Sequence, residues 1–340
     1  MSMKTKSLLF FVKAMLKLST FLFDRYKIKR NKKSVSIYYK YFNYNVRYVF
    51  SLAYLFHSAG YDVDIVTTPR AILHTYVDEN KAFWQSEYVK IKIFKIKKSN
   101  LTLVRIDRPL KNCRSMKTPF MAHPRYLVSG RLNYNFNNSS GRLKLVFVGK
   151  ISGGEHNKDT KEYHARKTIV DYLVGAFPDE VLLISKWNEK SKIGSSEKPI
   201  IIVDSFKAGL NEEEYFKLLQ SACFFLAVPG ICDPRTHSLV EAMSCGLIPV
   251  IEETSFSREY FKNEVDSLFW NDFNDLHQIV TNILKMEMEK ILRLQKNLFK
   301  TYHTYFNPNN LAQKLLNLSE IDMIIQEAEK KNLYYKVSQK

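Results

Sequence analysis

The residues best placed to do chemistry lie in one stretch, Val228–Glu253, which reads VPGICDPRTHSLVEAMSCGLIPVIEE. Its pattern is strand, Gly-containing turn, helix, Gly stop, strand. The turn follows the carboxyl end of a strand and opens a helix, which is where open parallel α/β sheets bind ligands. Backbone N–H groups left free at the helix start, near Thr236–Ser238, favour a phosphate. Thr236 and Ser238 add hydroxyl donors, and His237 lies in the same loop, within reach of a sugar or phosphate. Glu241 stands one turn inside the helix, where a carboxylate can accept from ribose hydroxyls. A second point is Gly149-Lys150, which ends an apolar run and offers a flexible cation at the carboxyl end of a strand. A third is His123, in Pro119-Phe120-Met121-Ala122-His123-Pro124, a candidate general base. His156 and His164 are further candidates. Each has a plainer reading: Glu241 as a solvent-facing helix carboxylate, Lys150 as a surface lysine, His123 as a structural residue at a Pro turn.

The elements that must position these residues alternate. Ser34–Tyr39 is expected as a strand, Val46–Ser58 as a helix stopped by Gly60, and Tyr61–Thr67 as a strand, together one β-α-β unit. Glu87–Ile96 and Leu101–Ile106 read as further strands. From Arg108 to Arg142 the chain is rich in Pro, Asn, Ser and Gly without sustained periodicity, and Asn133–Gly141 reads as a linker. The pattern then restarts: strand Leu143–Val148, helix Lys161–Phe177, strands Val181–Ser185 and Ile200–Val203, and helix Glu212–Ala222. Asn211 and Glu214 open that last helix in capping-box spacing. Strand Cys223–Val228, helix Thr236–Cys245 ended by Gly246, and strand Leu247–Ile251 follow, and the remainder from about residue 257 is mostly helical. Such alternation predicts an α/β, doubly wound architecture in two Rossmann-like domains. The expected divisions are a basic amphipathic segment at 1–30, a first domain at 31–135, a second at 142–305 and a C-terminal helix at 306–340.

The 340 residues carry 52 Lys+Arg against 34 Asp+Glu, a net charge of +18. An anionic partner is implied: nucleic acid, a phosphorylated substrate or an acidic membrane face. Residues 1–40 alone hold a net +10. Within Ser7–Phe23, Lys13 and Lys17 interrupt the apolar run, which argues against a transmembrane span or a clean signal peptide. On a helix, Lys6, Lys13, Lys17 and Lys27 share a face while Leu8, Phe11, Met15 and Leu22 fill the rest. That suits an in-plane helix on an anionic membrane, with a helix docked on the protein's own core or a signal-anchor as the alternatives. The four cysteines, at 113, 223, 232 and 245, form no C-x-x-C pair, so neither a zinc ribbon nor a disulfide framework is indicated. No P-loop, G-x-G-x-x-G, H-E-x-x-H or G-x-S-x-G motif is present.

Leu239–Ile251, with Glu241-Ala242-Met243, Gly246 and Ile248-Pro249-Val250-Ile251, resembles the donor-site signature of GT-B glycosyltransferases, retaining and exostosin-like branches included. In the large retaining families two glutamates are separated by seven residues, and here Asp233 takes the first place, with seven residues between it and Glu241. Pro229, Gly230 and Thr236 are similar to the exostosin-like turn. Where such sequences carry Arg three residues before the Glu, this chain has Ser238, with Arg235 nearby. Val146–Lys150 resembles the first strand of a GT-B C-terminal domain, whose basic residue after the glycine contacts the donor diphosphate.

The resemblance implies two Rossmann-like domains facing a cleft, with C-terminal helices, and a glycosyltransferase that uses a nucleotide sugar as substrate, without a cofactor or metal. It implies His123, Lys150 and Glu241 as catalytic residues. Donor binding falls to Gly149, Lys150, Gly230, Asp233, Arg235, Thr236, His237, Ser238 and Glu241. The basic N-terminus points to a glycan or lipid-linked acceptor of surface polysaccharide or lipopolysaccharide synthesis, on the inner face of the cytoplasmic membrane. The Lys, Asn, Ile and Phe bias is that of an AT-rich, bacterial genome. Two other readings stand beside this one. One is a non-catalytic subunit of the same fold that binds a nucleotide sugar or glycan. The other is a nucleic-acid-binding protein, which rests on charge alone and lacks an RNP, KH or helix-turn-helix signature.

Overall fold

The computed structural model describes residues 34–39, 46–67, 89–93, 103–105, 115–118, 126–127, 129–132, 143–151, 164–229, 236–316 and 323–326. In chain order the elements are β1 (Ser34–Tyr39), α1 (Val46–Ser58), β2 (Asp62–Thr67), β3 (Val89–Ile93), β4 (Leu103–Arg105), β5 (Ser115–Thr118) and β6 (Leu143–Gly149). Then come α2 (Arg166–Ala176), β7 (Val181–Ile184), α3 (Lys192–Ser195), β8 (Ile200–Asp204), α4 (Ser205–Ala208), α5 (Glu212–Gln220) and β9 (Ala222–Ala227). The chain continues with α6 (His237–Ser244), β10 (Ile248–Glu252), α7 (Ser255–Tyr260), β11 (Leu268–Trp270), α8 (Phe273–Lys285), α9 (Met288–Tyr305), α10 (Pro308–Leu316) and β12 (Met323–Gln326).

Two compact units result. The first holds a six-stranded sheet in the order β3-β2-β1-β4-β12-β5, every pair parallel. The β1-α1-β2 crossover lies where the sequence placed it. Ala53, Leu55, Phe56, Ala59, Val63 and Ile65 are buried there. The second unit holds a sheet in the order β11-β10-β9-β6-β8-β7, again wholly parallel. Parallel strands covered on both faces need continuous apolar runs rather than alternation. β8, β9 and β10 are buried along their whole lengths, as IIIVD, ACFFLA and IPVIE.

Local chemistry fixes the ends of the helices. Asn211 accepts from the Glu214 N–H at 2.9 Å and Glu214 accepts from the Asn211 N–H at 2.8 Å, a complete capping box on α5. Thr236 caps α6 by accepting from the Leu239 N–H at 3.3 Å. At the other end of α6, Gly246 has φ +83°, its N–H donates to Met243 O and that of Leu247 to Ala242 O. This is a Schellman turn, which an L side chain would strain. The buried Gln295 of α9 donates Nε2 to Gly246 O at 3.0 Å, tying the turn to the C-terminal helices.

Three expectations need correction. The segment 306–340 is not one helix: α10 ends at Leu316, and Met323–Gln326 forms β12, inserted between β4 and β5. A short apolar run such as Met-Ile-Ile has no period of its own, and its β-branched residues serve a parallel strand when two neighbours offer edges. The aperiodic region 108–142 contains β5, whose sequence SMKT suits a short edge strand and gives no alternation to read. Ser129–Leu132, placed in the first domain, belongs to the second unit. Leu132 is buried there and its carbonyl accepts from Tyr302 Oη at 2.6 Å. The proposed amphipathic helix at 1–30 lies outside the described residues. No described helix is long and apolar enough to cross a membrane.

Candidate functional site

The carboxyl ends of the second unit's strands form one edge. Reading across it, they present Trp270 (β11), Glu252 (β10), the Val228-Pro229 turn (β9), Gly149-Lys150 (β6), Asp204 (β8) and Ser185 after β7. β6 and β9 are neighbours although the chain visits β7 and β8 between them, so the strand order reverses here. A reversal of this kind leaves a crevice at the strand ends, the usual ligand site of doubly wound sheets.

A residue absent from the sequence expectations closes that point. Arg166, at the first position of α2, is buried. It donates Nε and Nη2 to Pro229 O at 3.0 and 2.8 Å, and Nη1 to Lys150 O at 2.6 Å. Its guanidinium lies over the Phe147 ring, 5.7 Å from the centroid. Gly149 makes room: a Cβ there would stand 2.9 Å from the Phe147 ring and 3.6 Å from Arg166 Nη1. Nothing in the spacing of Arg166 announces two carbonyls as its partners. Its position at the start of the helix after the first strand was the available signal.

Lys150 is exposed at the carboxyl end of β6, as expected, with Nζ 5.3 Å above the ring of Phe206 on α4. Phe206 is 78% exposed, and Trp187, in a 3₁₀ turn after β7, is 66% exposed. Lys190 Nζ stands 4.7 Å over the Trp187 ring, and that ring packs against Gly209, where a Cβ would come within 2.3 Å of it. Two exposed aromatic side chains thus share this part of the edge with two ammonium groups. Neither ring was singled out from sequence, because exposed aromatics give no periodic signal.

α6 begins at the same edge. Thr236 Oγ1 and Ser238 Oγ lie 2.9 Å apart, so one of their two hydroxyl protons is used between them. His237 is the first residue of α6. Glu241 is buried, with 1% exposure, so it is not a solvent-facing carboxylate. Its Oε2 accepts from Tyr215 Oη of α5 at 2.7 Å. Burial pushes the nearby Cys245 thiol up to about 12, with Glu241 adding to the shift and Ser244 and Arg131 opposing it. His123, Gly230, Asp233 and Arg235 lie outside the described residues.

At the β10–β11 end, His164 and Glu252 form a pair. His164 Nδ1 is 2.6 Å from Glu252 Oε1, and the His164 backbone N–H donates to both carboxylate oxygens at 3.1 and 3.0 Å. Among the described residues no group of three His, Cys, Asp or Glu side chains is arranged to hold a metal ion.

Residues 162–317 match the family model described as "Glycosyl transferase-like". That span runs from just before α2 through α10 and includes Arg166, the α6 capping turn and Glu241. No curated protein matches the chain. Among solved structures, Alr3699/HepE of Anabaena, determined in complex with UDP, superposes with a TM-score of 0.52 at 9% identity, over 84% of this chain and 99% of that one. A glycosyltransferase of Rickettsia africae gives 0.51 at 7% identity, over 85% and 98%. The fold is that of the GT-B glycosyltransferases.

Proposed function

We propose that the chain transfers a sugar from a nucleotide-sugar donor, held on the carboxyl edge of the second unit's sheet, to a glycan or lipid-linked acceptor. The observation that carries this is the pairing of the Lys150 ammonium with the open Phe206 ring at the strand-order reversal. A nucleotide needs a flat apolar face for its base and cations for its phosphates. Phe206 and Trp187 offer the faces, and Lys150 and the α6 N-terminus offer the positive charge, Lys190 being paired with Glu214. The family-model match over 162–317 and the GT-B fold support the same reaction class.

Departure of a nucleoside diphosphate builds negative charge on its phosphate oxygens. Lys150 stabilises that charge as it develops, and the Arg166 clamp holds the Lys150 and Pro229 turns in fixed relation while it does so. A direct test is a tryptophan-fluorescence titration with UDP, GDP, CDP and dTDP. Quenching by one of them in the parent, lost in Trp187→Phe, supports the reading. An unchanged signal with all four would contradict it.

The acceptor side follows from charge. The net +10 of residues 1–40 suits an anionic membrane surface, which would place the acceptor among surface-polysaccharide or lipopolysaccharide intermediates on the inner leaflet. Changing Lys6, Lys13 and Lys17 to Glu should then weaken sedimentation with anionic vesicles at low salt.

A further inference from the structure

His164, named from sequence only as a further candidate beside His123, pairs with Glu252, and neither residue is among the donor contacts assigned above. Glu252 closes β10 and is buried, while the His164 side chain is 31% exposed. Three hydrogen bonds join the two residues, two from the His164 backbone N–H and one at the ring. With Nδ1 2.6 Å from a carboxylate oxygen, the ring proton of the neutral imidazole belongs on Nδ1, which leaves the lone pair on Nε2. Nε2 has no hydrogen-bond partner among the described residues. Phe273 and Trp270 fix the ring from the side, with centroids 4.7 and 5.5 Å away. Among the described residues β10 contributes Glu252, β11 and α8 contribute the two uncharged rings, and Arg166 of α2 directs its guanidinium to Lys150 O and Pro229 O. A histidine locked in one tautomer by a carboxylate, with its other nitrogen open, is the arrangement a general base requires.

We propose that His164 is the general base of the transfer reaction and that Glu252 is its positioning residue. The inference rests on the donor site described above. In the step, the acceptor hydroxyl gives its proton to His164 Nε2 as its oxygen bonds to the anomeric carbon. The bond from that carbon to the phosphate oxygen breaks, and its electron pair leaves with the nucleoside diphosphate. The imidazolium, paired with Glu252, then returns the proton to solvent.

The test uses the full chain, the sugar nucleotide that most raises its melting temperature, and water as the acceptor, with release of nucleoside diphosphate as the readout. His164→Ala should bind the nucleotide as the parent does. Its turnover should fall about 10²–10⁴-fold, with partial rescue by added imidazole and loss of the acidic limb of the pH–rate profile. Glu252→Gln should lower kcat with KM little changed. Should His164→Ala fail to fold, His164→Gln, which keeps a donor for Glu252, carries the same comparison. Parental turnover in the His164 variants overturns the proposal. So does a loss confined to nucleotide affinity, which would make His164 a donor contact. Failure of the parent to bind any sugar nucleotide is seen without a variant and overturns the donor-site reading as well.

Discussion

Arg166 places Nε and Nη2 within 3.0 and 2.8 Å of the Pro229 carbonyl, so a buried guanidinium bridges the turn after β9 to the start of α2. The third bond, to Lys150 O, brings in the turn after β6. These two turns flank the point where the strand order reverses, so one side chain sets the geometry of the proposed donor site.

Removing that side chain leaves two carbonyls short of charged donors. Arg166→Ala should destabilise the chain by about 2–4 kcal/mol, and Arg166→Lys by nearly as much, because an ammonium cannot span both turns. Urea denaturation followed by circular dichroism checks this. A loss below about 0.5 kcal/mol would mean that the turns hold without it.

Glu241 and Tyr215 join α6 to α5 through a 2.7 Å hydrogen bond to a buried carboxylate. Tyr215→Phe deletes the donor and keeps the ring, at an expected cost of about 1.5–3 kcal/mol. In a double-mutant cycle with Glu241→Gln the two losses should not add. Additive losses would show that the pair is not coupled. Because Glu241 is buried, Glu241→Ala is expected to cost stability as well as activity.

Cys245 sets an alkaline limit. Its thiol is raised from 9.0 to about 12 by burial, so the native state keeps a proton that the unfolded chain loses. The stability this gives is complete below the unfolded value and disappears as pH rises through the folded one. The stability difference between the parent and Cys245→Ala should therefore shrink by about 1.4 kcal/mol per pH unit between 9.0 and about 12. A constant difference would contradict it. The Cys223 thiol is likewise raised by burial, with Lys144 opposing, so both should resist alkylation until the chain unfolds.

Lys150 is assigned to the departing diphosphate rather than to ground-state binding. Lys150→Ala should lower kcat about 10²–10³-fold and change KM less, and parental turnover should survive EDTA. An effect on KM alone would move the catalytic cation elsewhere, with Arg235 the first residue to change. Activity abolished by EDTA and restored by Mg²⁺ or Mn²⁺ would contradict a cation-only mechanism.

What the sequence revealed and what it hid divide along physical lines. The β1-α1-β2 unit, the capped α5 and the α6 helix between Thr236 and Gly246 were legible because apolar periodicity, caps and glycine stops are local. Asn211 and Glu214 sit three residues apart, and the two bonds between them follow from that spacing. Arg166 and Pro229 are 63 residues apart, and His164 and Glu252 are 88 apart, so only the sheet order brings each pair together. β12 was hidden for the same reason, since its partners, β4 and β5, lie some 200 residues earlier. Phe206 and Trp187 look unremarkable in sequence, because what matters about them is their exposure at a strand end.

Binding of a sugar nucleotide on the carboxyl sheet edge of the second unit is read out by thermal shift against UDP-, GDP-, CMP- and dTDP-sugars, with Lys150→Ala alongside the parent. At least one should raise the parent's melting temperature in a concentration-dependent way, with about 2.7 kcal/mol of stabilisation at a hundredfold excess over Kd, and the variant should respond less. No shift in the parent with any of them, at concentrations where related sugar nucleotides saturate such sites, would contradict it.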